Sequence, residues 1–133
     1  MKAHRAFNRY SHDDKVVFLP MERISVSGDV DCSEKRPISE IKDGFTYFRK
    51  NDVVLAKITP CFENGKGACL TRLTSEFGFG TTELIVLRAK RTLLPMYLYF
   101  ITRSSFLRKL GTDVMTGAAG QKRVLLTLFL ISQ

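Results

Sequence analysis

The chain has 133 residues, 44% of them hydrophobic and 26% charged, the size and balance of one soluble globular domain. Its longest apolar stretch, 124–131, is interrupted by Thr127 and falls far short of the roughly 20 residues that span a membrane. The formal net charge of +8 is uneven: 88–123 hold Arg88, Lys90, Arg91, Arg103, Arg108, Lys109, Lys122 and Arg123 against Asp113 alone, which points either to a polyanion or to a solvated helix face that keeps the protein soluble.

In chain order, residues 1–15 are polar and expected to be poorly ordered, with no apolar leader. Residues 16–133 are expected to form a single domain. A strand is predicted at 16–19, stopped by Pro20. Residues 22–41 read as loop, with Gly28, Asp29, Asp31 and Pro37 as turn formers. The β-prone run 45–48 leads to a turn at Lys50-Asn51-Asp52, then to a β-branched strand over 53–59 that Pro60 ends. Asn64-Gly65 is a strong hairpin signal, because both positions tolerate positive φ. It predicts a tight connection over 63–67 and a returning strand over 68–73. Gly78 and Gly80 are read as interruptions before a strand over 82–87.

The apolar period then changes. Pro95 opens and Gly111 closes a predicted helix over 95–110, with Leu98, Ile101, Leu107 and Leu110 on its inner face. Arg103, Arg108 and Lys109 are expected on the other side or in the last turn. A glycine-punctuated loop over 116–120 leads into Gln121-Lys122-Arg123, and 124–131 reads as a buried strand. These elements predict an α+β fold: a mixed, mostly antiparallel sheet, one main helix near 95–110, and glycine-rich loops.

Enzymatic signatures are missing. Gly65-Lys66 lacks the preceding glycine and following hydroxyl of a phosphate-binding loop, since Pro60 and Gly67 occupy those places. Gly78 and Gly80 sit in no strand–GxGxxG–helix unit. Glu63 reads as a turn carboxylate and Glu83 as a buried, hydrogen-bonded strand carboxylate, neither with a basic partner at diagnostic spacing. Cys32, Cys61 and Cys69 form no CxxC pair and read as reduced thiols of a cytoplasmic protein. His4 and His12 are too few for a zinc site or a nucleophile–base pair. No metal, cofactor or catalysis is expected.

Two loops combine glycine permissiveness with cationic tips, 57–68 and 115–123. Lysine and arginine neutralise phosphates, and Asn, Gln and Arg read base edges. Each loop taken alone also reads as ordinary turns serving the fold. Four runs occur in order: PMERISVSGDVD (20–31), FRKNDVVLAKITPCFENGKGA (48–68), GFGTTELIVLR (78–88) and TGAAGQKRV (116–124). Together they resemble a target recognition domain of the specificity subunit of type I restriction–modification systems, from about Phe18 to Val124.

The resemblance implies a module that reads double-stranded DNA and performs no chemistry itself. A complete subunit of that family carries two such domains, each followed by a long helix. The paired helices space the domains and dock methyltransferase (M) subunits, and each domain reads one half of a bipartite site. Methyl transfer and ATP-driven restriction belong to the M and restriction (R) subunits. Lys57, Lys66, Lys122 and Arg123 are the candidates for phosphate or base contacts. Asn64 and Gln121 are candidates for base edges or for holding their loops, and Thr81 and Thr82 for hydroxyl or backbone contacts. These residues either touch DNA or maintain the fold, the choice of bases then falling to segments such as 25–50. The sequence carries one such domain without the spacer helix and ends in an apolar run, as a truncated or frame-shifted reading frame or a cut at the domain boundary would. The alternative is a protein–protein module, with helix 95–110 and the apolar run forming a homodimer surface.

Overall fold

A computed structural model describes residues 9–113 of the chain. Its strands are β1 (Lys15–Leu19), β2 (Lys35–Pro37), β3 (Thr46–Arg49), β4 (Val53–Ala56), β5 (Gly67–Cys69), β6 (Phe77–Gly80) and β7 (Leu84–Leu87). Its helices are α1 (Ile38–Ile41), α2 (Pro95–Thr102) and α3 (Ser105–Asp113). The strands form a four-stranded sheet, β2-β1-β6-β3, and a three-stranded sheet, β5-β4-β7. Among the described strands only β1 and β6 run parallel; the other pairings are antiparallel. The fold is α+β with mixed, mostly antiparallel sheets.

Three apolar clusters define the layers. Val17, Leu19, Phe48, Val54, Ala68 and Leu84 meet between the two sheets. Val16, Phe18, Tyr47, Phe77 and Phe79 face α1 through Ile38 and Ile41 on the outer side of the larger sheet. Val53, Leu55, Ile85 and Leu87 on the smaller sheet pack against Phe62, Tyr99 and Leu107. Both faces of each sheet therefore carry packed apolar neighbours, which is why VVFL, VVLA and LIVL are continuously apolar and do not alternate.

Several local expectations are corrected. Gly78 and Gly80 do not interrupt the chain but lie inside β6, paired to β1 and β3. A Cβ on Gly78 would stand 2.5 Å from the Val17 carbonyl oxygen and 2.7 Å from the Phe48 ring, and one on Gly80 would stand 2.8 Å from the Leu19 oxygen. The fully buried Phe48 ring takes the space that side chains at those two positions would fill. The 22–41 loop contains a 3₁₀ turn (Met21–Arg23), β2 and α1. Residues 9–14, read as loosely held, dock on the larger sheet: Tyr10 packs edge-on against Phe77 at 5.0 Å, and its hydroxyl donates to Glu76 at 2.8 Å.

The β4–β5 hairpin forms, with Val54 opposite Ala68 and Leu55 opposite Gly67. Its connection is the long loop 57–66, containing a cis Thr59–Pro60 peptide, and not a two-residue turn. Of Asn64 and Gly65, only Gly65 takes positive φ, +76°. Strand β4 ends at Ala56 and β7 begins at Leu84, so Glu83 is a half-buried turn residue and not a strand carboxylate.

The single helix over 95–110 is two helices. Ser104 separates them: its backbone carbonyl accepts from Arg108 at 3.0 Å and its hydroxyl from the Leu107 amide at 3.2 Å, as an N-cap does. Gly111 does not close a helix but is buried within α3, where the Phe62 ring leaves no room for a Cβ. The inward face is Tyr99, Thr102, Leu107 and Gly111, whereas Ile101 is exposed. The predicted strand over 124–131 and the loop 116–120 lie outside the described residues.

Candidate nucleic-acid interface

The strand ends set the geometry. Strand β4 leaves the smaller sheet at Ala56 and β5 enters it at Gly67, so the 57–66 loop projects from one end of the fold. The turn between β6 and β7 stands beside it, because the Lys57 amide donates to the Glu83 carbonyl at 3.0 Å. The Ala56 amide donates to the Lys66 carbonyl at 2.9 Å, closing the base of the loop. Lys57, Asn64, Lys66, Thr81 and Thr82 thus belong to two adjacent connections at one end of the sheets. Gln121, Lys122 and Arg123 lie outside the described residues.

Within this group the roles differ. Asn64 and Thr82 are exposed, while Lys57, Lys66 and Thr81 are half-buried. The Thr81 hydroxyl accepts from the Glu83 amide at 3.2 Å, and its own amide donates to Leu19 at 3.1 Å. Thr81 therefore serves its turn first. The loop is internally tied: Asn64 donates to Pro60 at 3.1 Å, Gly65 to Phe62 at 3.0 Å and Lys66 to Cys61 at 3.0 Å, all through backbone amides. Glu63 accepts from the Thr59 hydroxyl at 3.3 Å. A preformed loop loses little entropy when it meets a ligand.

The corner between α2 and α3 braces the same loop. Arg103 and Arg108, expected to face away, point back at it. Arg103 Nη1 donates to the Val26 carbonyl at 3.0 Å and the Tyr99 hydroxyl at 3.1 Å, with a longer contact of 3.4 Å to the Gly65 carbonyl. The Arg108 guanidinium lies over Gly65, in the space a Cβ would take. Lys57, Lys66, Arg103 and Arg108 have no ion pair among the described residues, so their charge reaches solvent at this end. Asp29, Glu63 and Glu83 are the acidic residues of the surrounding connections.

The basic run does not form one patch. Arg88 is spent on the buried Asp52, at the opposite end of the sheets from the 57–66 loop. There Arg49, Lys50, Asn51, Glu76 and Pro95 help to line an open cleft of about 330 Å³. The two ends are joined by α2, which begins at Pro95 on this cleft and ends beside Arg103. Tyr99 and Arg103 were not anticipated as parts of the loop end, whereas the turn at 25–29 lies within the 25–50 segment offered for the choice of bases; the signal for Arg103 was its place one turn after Tyr99.

Among the described residues no group of three or more His, Cys, Asp or Glu residues is placed to hold a metal. Burial pushes the Cys32 and Cys69 thiols above the ordinary range. No described helix is long and apolar enough to cross a membrane.

No protein-family model matches the chain. The specificity subunits of the type I restriction enzymes EcoAI and EcoEI of Escherichia coli are each 40% identical to it over 114 residues. Each match covers 84% of the chain and 19% of the relative. A chain from a structure of a type I R-M system superposes with a TM-score of 0.70 at 19% identity, over 89% of this chain and 30% of that one. The HsdS subunit from Thermoanaerobacter tengcongensis gives 0.67 at 18% identity, over 88% and 30%. The chain is a relative of the specificity subunits of type I restriction enzymes, and it spans about a fifth of the length of the two it matches.

Proposed function

We propose that the chain is a target recognition domain that reads double-stranded DNA at the end carrying the 57–66 loop and the 81–83 turn. The kinship with specificity subunits supports the reading. The observation that carries it is the gathering of Lys57, Asn64, Lys66 and Thr82 on adjacent connections, braced by two arginines without carboxylate partners among the described residues. Lysine and arginine supply phosphate neutralisation and affinity, while Asn64 and Thr82 are exposed groups of the kind that reach base edges. Gln121, Lys122 and Arg123, outside the described residues, are proposed as further DNA contacts.

In this reading the chain recognises one half of a bipartite site and has no catalysis of its own. Its partners are duplex DNA and the M and R subunits of a type I restriction–modification complex, in the cytoplasm. The test is a titration against a random duplex pool at several salt concentrations. Binding should weaken steeply with salt, and the Lys57→Ala/Lys66→Ala pair should reduce the log–log slope by about 2, close to one counterion per phosphate contact. An unchanged slope removes those contacts.

A second reading, self-association, is favoured by the exposed large apolar side chains along the α2–α3 segment: Leu94, just before α2, and Phe106 in α3 are 75% and 77% exposed, and Tyr97 and Phe100 of α2 are exposed too. Sedimentation of the chain over a concentration series, with Phe106→Ser as the comparison, separates the two.

A further inference from the structure

Two connections that are distant in sequence converge on the α2–α3 corner. The turn at 25–29 is prefolded: the Ser25 amide donates to the Asp29 carbonyl at 2.9 Å, and the Ser25 hydroxyl accepts from the Asp29 amide at 2.8 Å. It meets the base of the 57–66 loop, since the amide of Gly67, the first residue of β5, donates to the Ser25 carbonyl at 3.3 Å. Each connection also presents a positive-φ glycine to the helices. A Cβ on Gly28 (φ +94°) would fall on the Tyr99 hydroxyl, and one on Gly65 (φ +76°) on the Arg108 guanidinium. Between them stands Arg103, one nitrogen of which faces a carbonyl from each connection, Val26 and Gly65, and the Tyr99 hydroxyl. Its guanidinium carbon is 5.6 Å from the Tyr99 ring centroid.

We propose that Arg103 is a positioning residue that locks the 25–29 turn to the 57–66 loop, so that both meet DNA as one specificity-determining surface. The inference rests on the DNA-reading function proposed above. A guanidinium is suited to the task because its planar fork is rigid and always charged. With Nη1 turned to protein oxygens, its contribution to recognition is shape, and the charge it leaves is a field over the surface. The joined turn adds Ser27 and Asp29, both exposed, of side-chain types that hydrogen-bond base edges. Neither position was singled out by the charge pattern, because the 25–29 turn carries no cation.

The test uses the full chain as wild type, Arg103→Ala, Arg103→Lys and Tyr99→Phe, with two readouts. The first is amide hydrogen exchange of the free protein. Arg103→Ala should speed exchange in 25–29 and 57–67 together and leave 49–52 unchanged; acceleration in one segment only, or in neither, overturns the lock. The second is affinity for a duplex selected from a random pool against affinity for the unselected pool. Arg103→Ala should lower that ratio by about tenfold, the order of one base contact, and Arg103→Lys should restore part of it. The salt slope on unselected DNA should stay as in wild type. A slope lower by about one would make Arg103 a phosphate ligand, and an unchanged ratio would deny it a part in specificity. Should Arg103→Ala not fold, Tyr99→Phe, which removes a single acceptor, should shift both readouts in the same direction by less. If wild type binds no duplex, the DNA-reading function fails while the exchange readout still decides the lock.

Discussion

Arg88 grips Asp52 in two parallel hydrogen bonds of 2.9 Å, Nε to Oδ1 and Nη2 to Oδ2, with Asp52 only 1% exposed. The carboxylate also accepts from the Arg49 amide at 2.8 Å, so it closes the β3–β4 turn, where Asn51 takes φ +73°. The carboxylate raises the Arg88 pKa above its ordinary value, chiefly through these hydrogen bonds. Asp52→Ala strands the guanidinium and one turn amide, and should destabilise the chain by about 3–5 kcal/mol. Urea unfolding checks this. The Asp52→Ala/Arg88→Ala double variant should lose less than the sum of the single losses, because each single change leaves a partner uncompensated.

The β6 glycines give a second outcome. Gly78→Ala places a methyl against the Val17 carbonyl, which is backbone and cannot swing away, and should cost about 1–3 kcal/mol. Gly44 has φ +83° with nothing within 4 Å of an added Cβ. Gly44→Asn, a residue that tolerates that backbone, should stay within about 0.5 kcal/mol of wild type. Thermal unfolding of the two variants compares them.

The contrast between these glycines shows how far the sequence could be read. The strands at β1, β3, β4 and β7 and the turn at Asn51 follow from β-branched runs bounded by Pro, Gly and Asn. The role of Gly78 and Gly80 does not, because a glycine reads as a breaker until Phe48, thirty residues away in the chain, is known to occupy its space. The grouping of Lys57, Lys66 and Thr82 depended on strand order, which the local pattern does not encode. Arg103 and Arg108 were visible only as charge. That they turn inward follows from their registers: Arg103 stands four residues after the buried Tyr99 and Arg108 three before the buried Gly111, on the faces that meet the loop.

The Ser104 cap is testable by itself. Ser104→Ala removes the acceptor for the Leu107 amide and should cost about 1 kcal/mol. Ser104→Asp should retain most of that stability, because a carboxylate caps equally well and suits the helix dipole. Urea unfolding of both variants against wild type measures the difference.

The anchoring of residues 9–14 should follow pH. The Tyr10 hydroxyl, the nearby Arg9 charge and the Arg9 hydrogen bond hold the Glu76 carboxyl below its ordinary 4.5. A lowered folded-state value stabilises above the unfolded pKa, and that contribution is lost as pH falls through the folded value. Tyr10→Phe should therefore raise the Glu76 titration midpoint towards 4.5, and carbon-detected NMR of the carboxyl reads it directly.

Where duplex DNA touches this fold is decided most directly by amide exchange of the full chain with and without a bound duplex. Protection should appear at 57–66 and 81–83, extending to 25–29, while the Arg49–Lys50 cleft at the far end exchanges as before. Protection of 49–52 with the 57–66 loop unaffected would place the nucleic acid on the wrong end of the sheets and contradict the assignment.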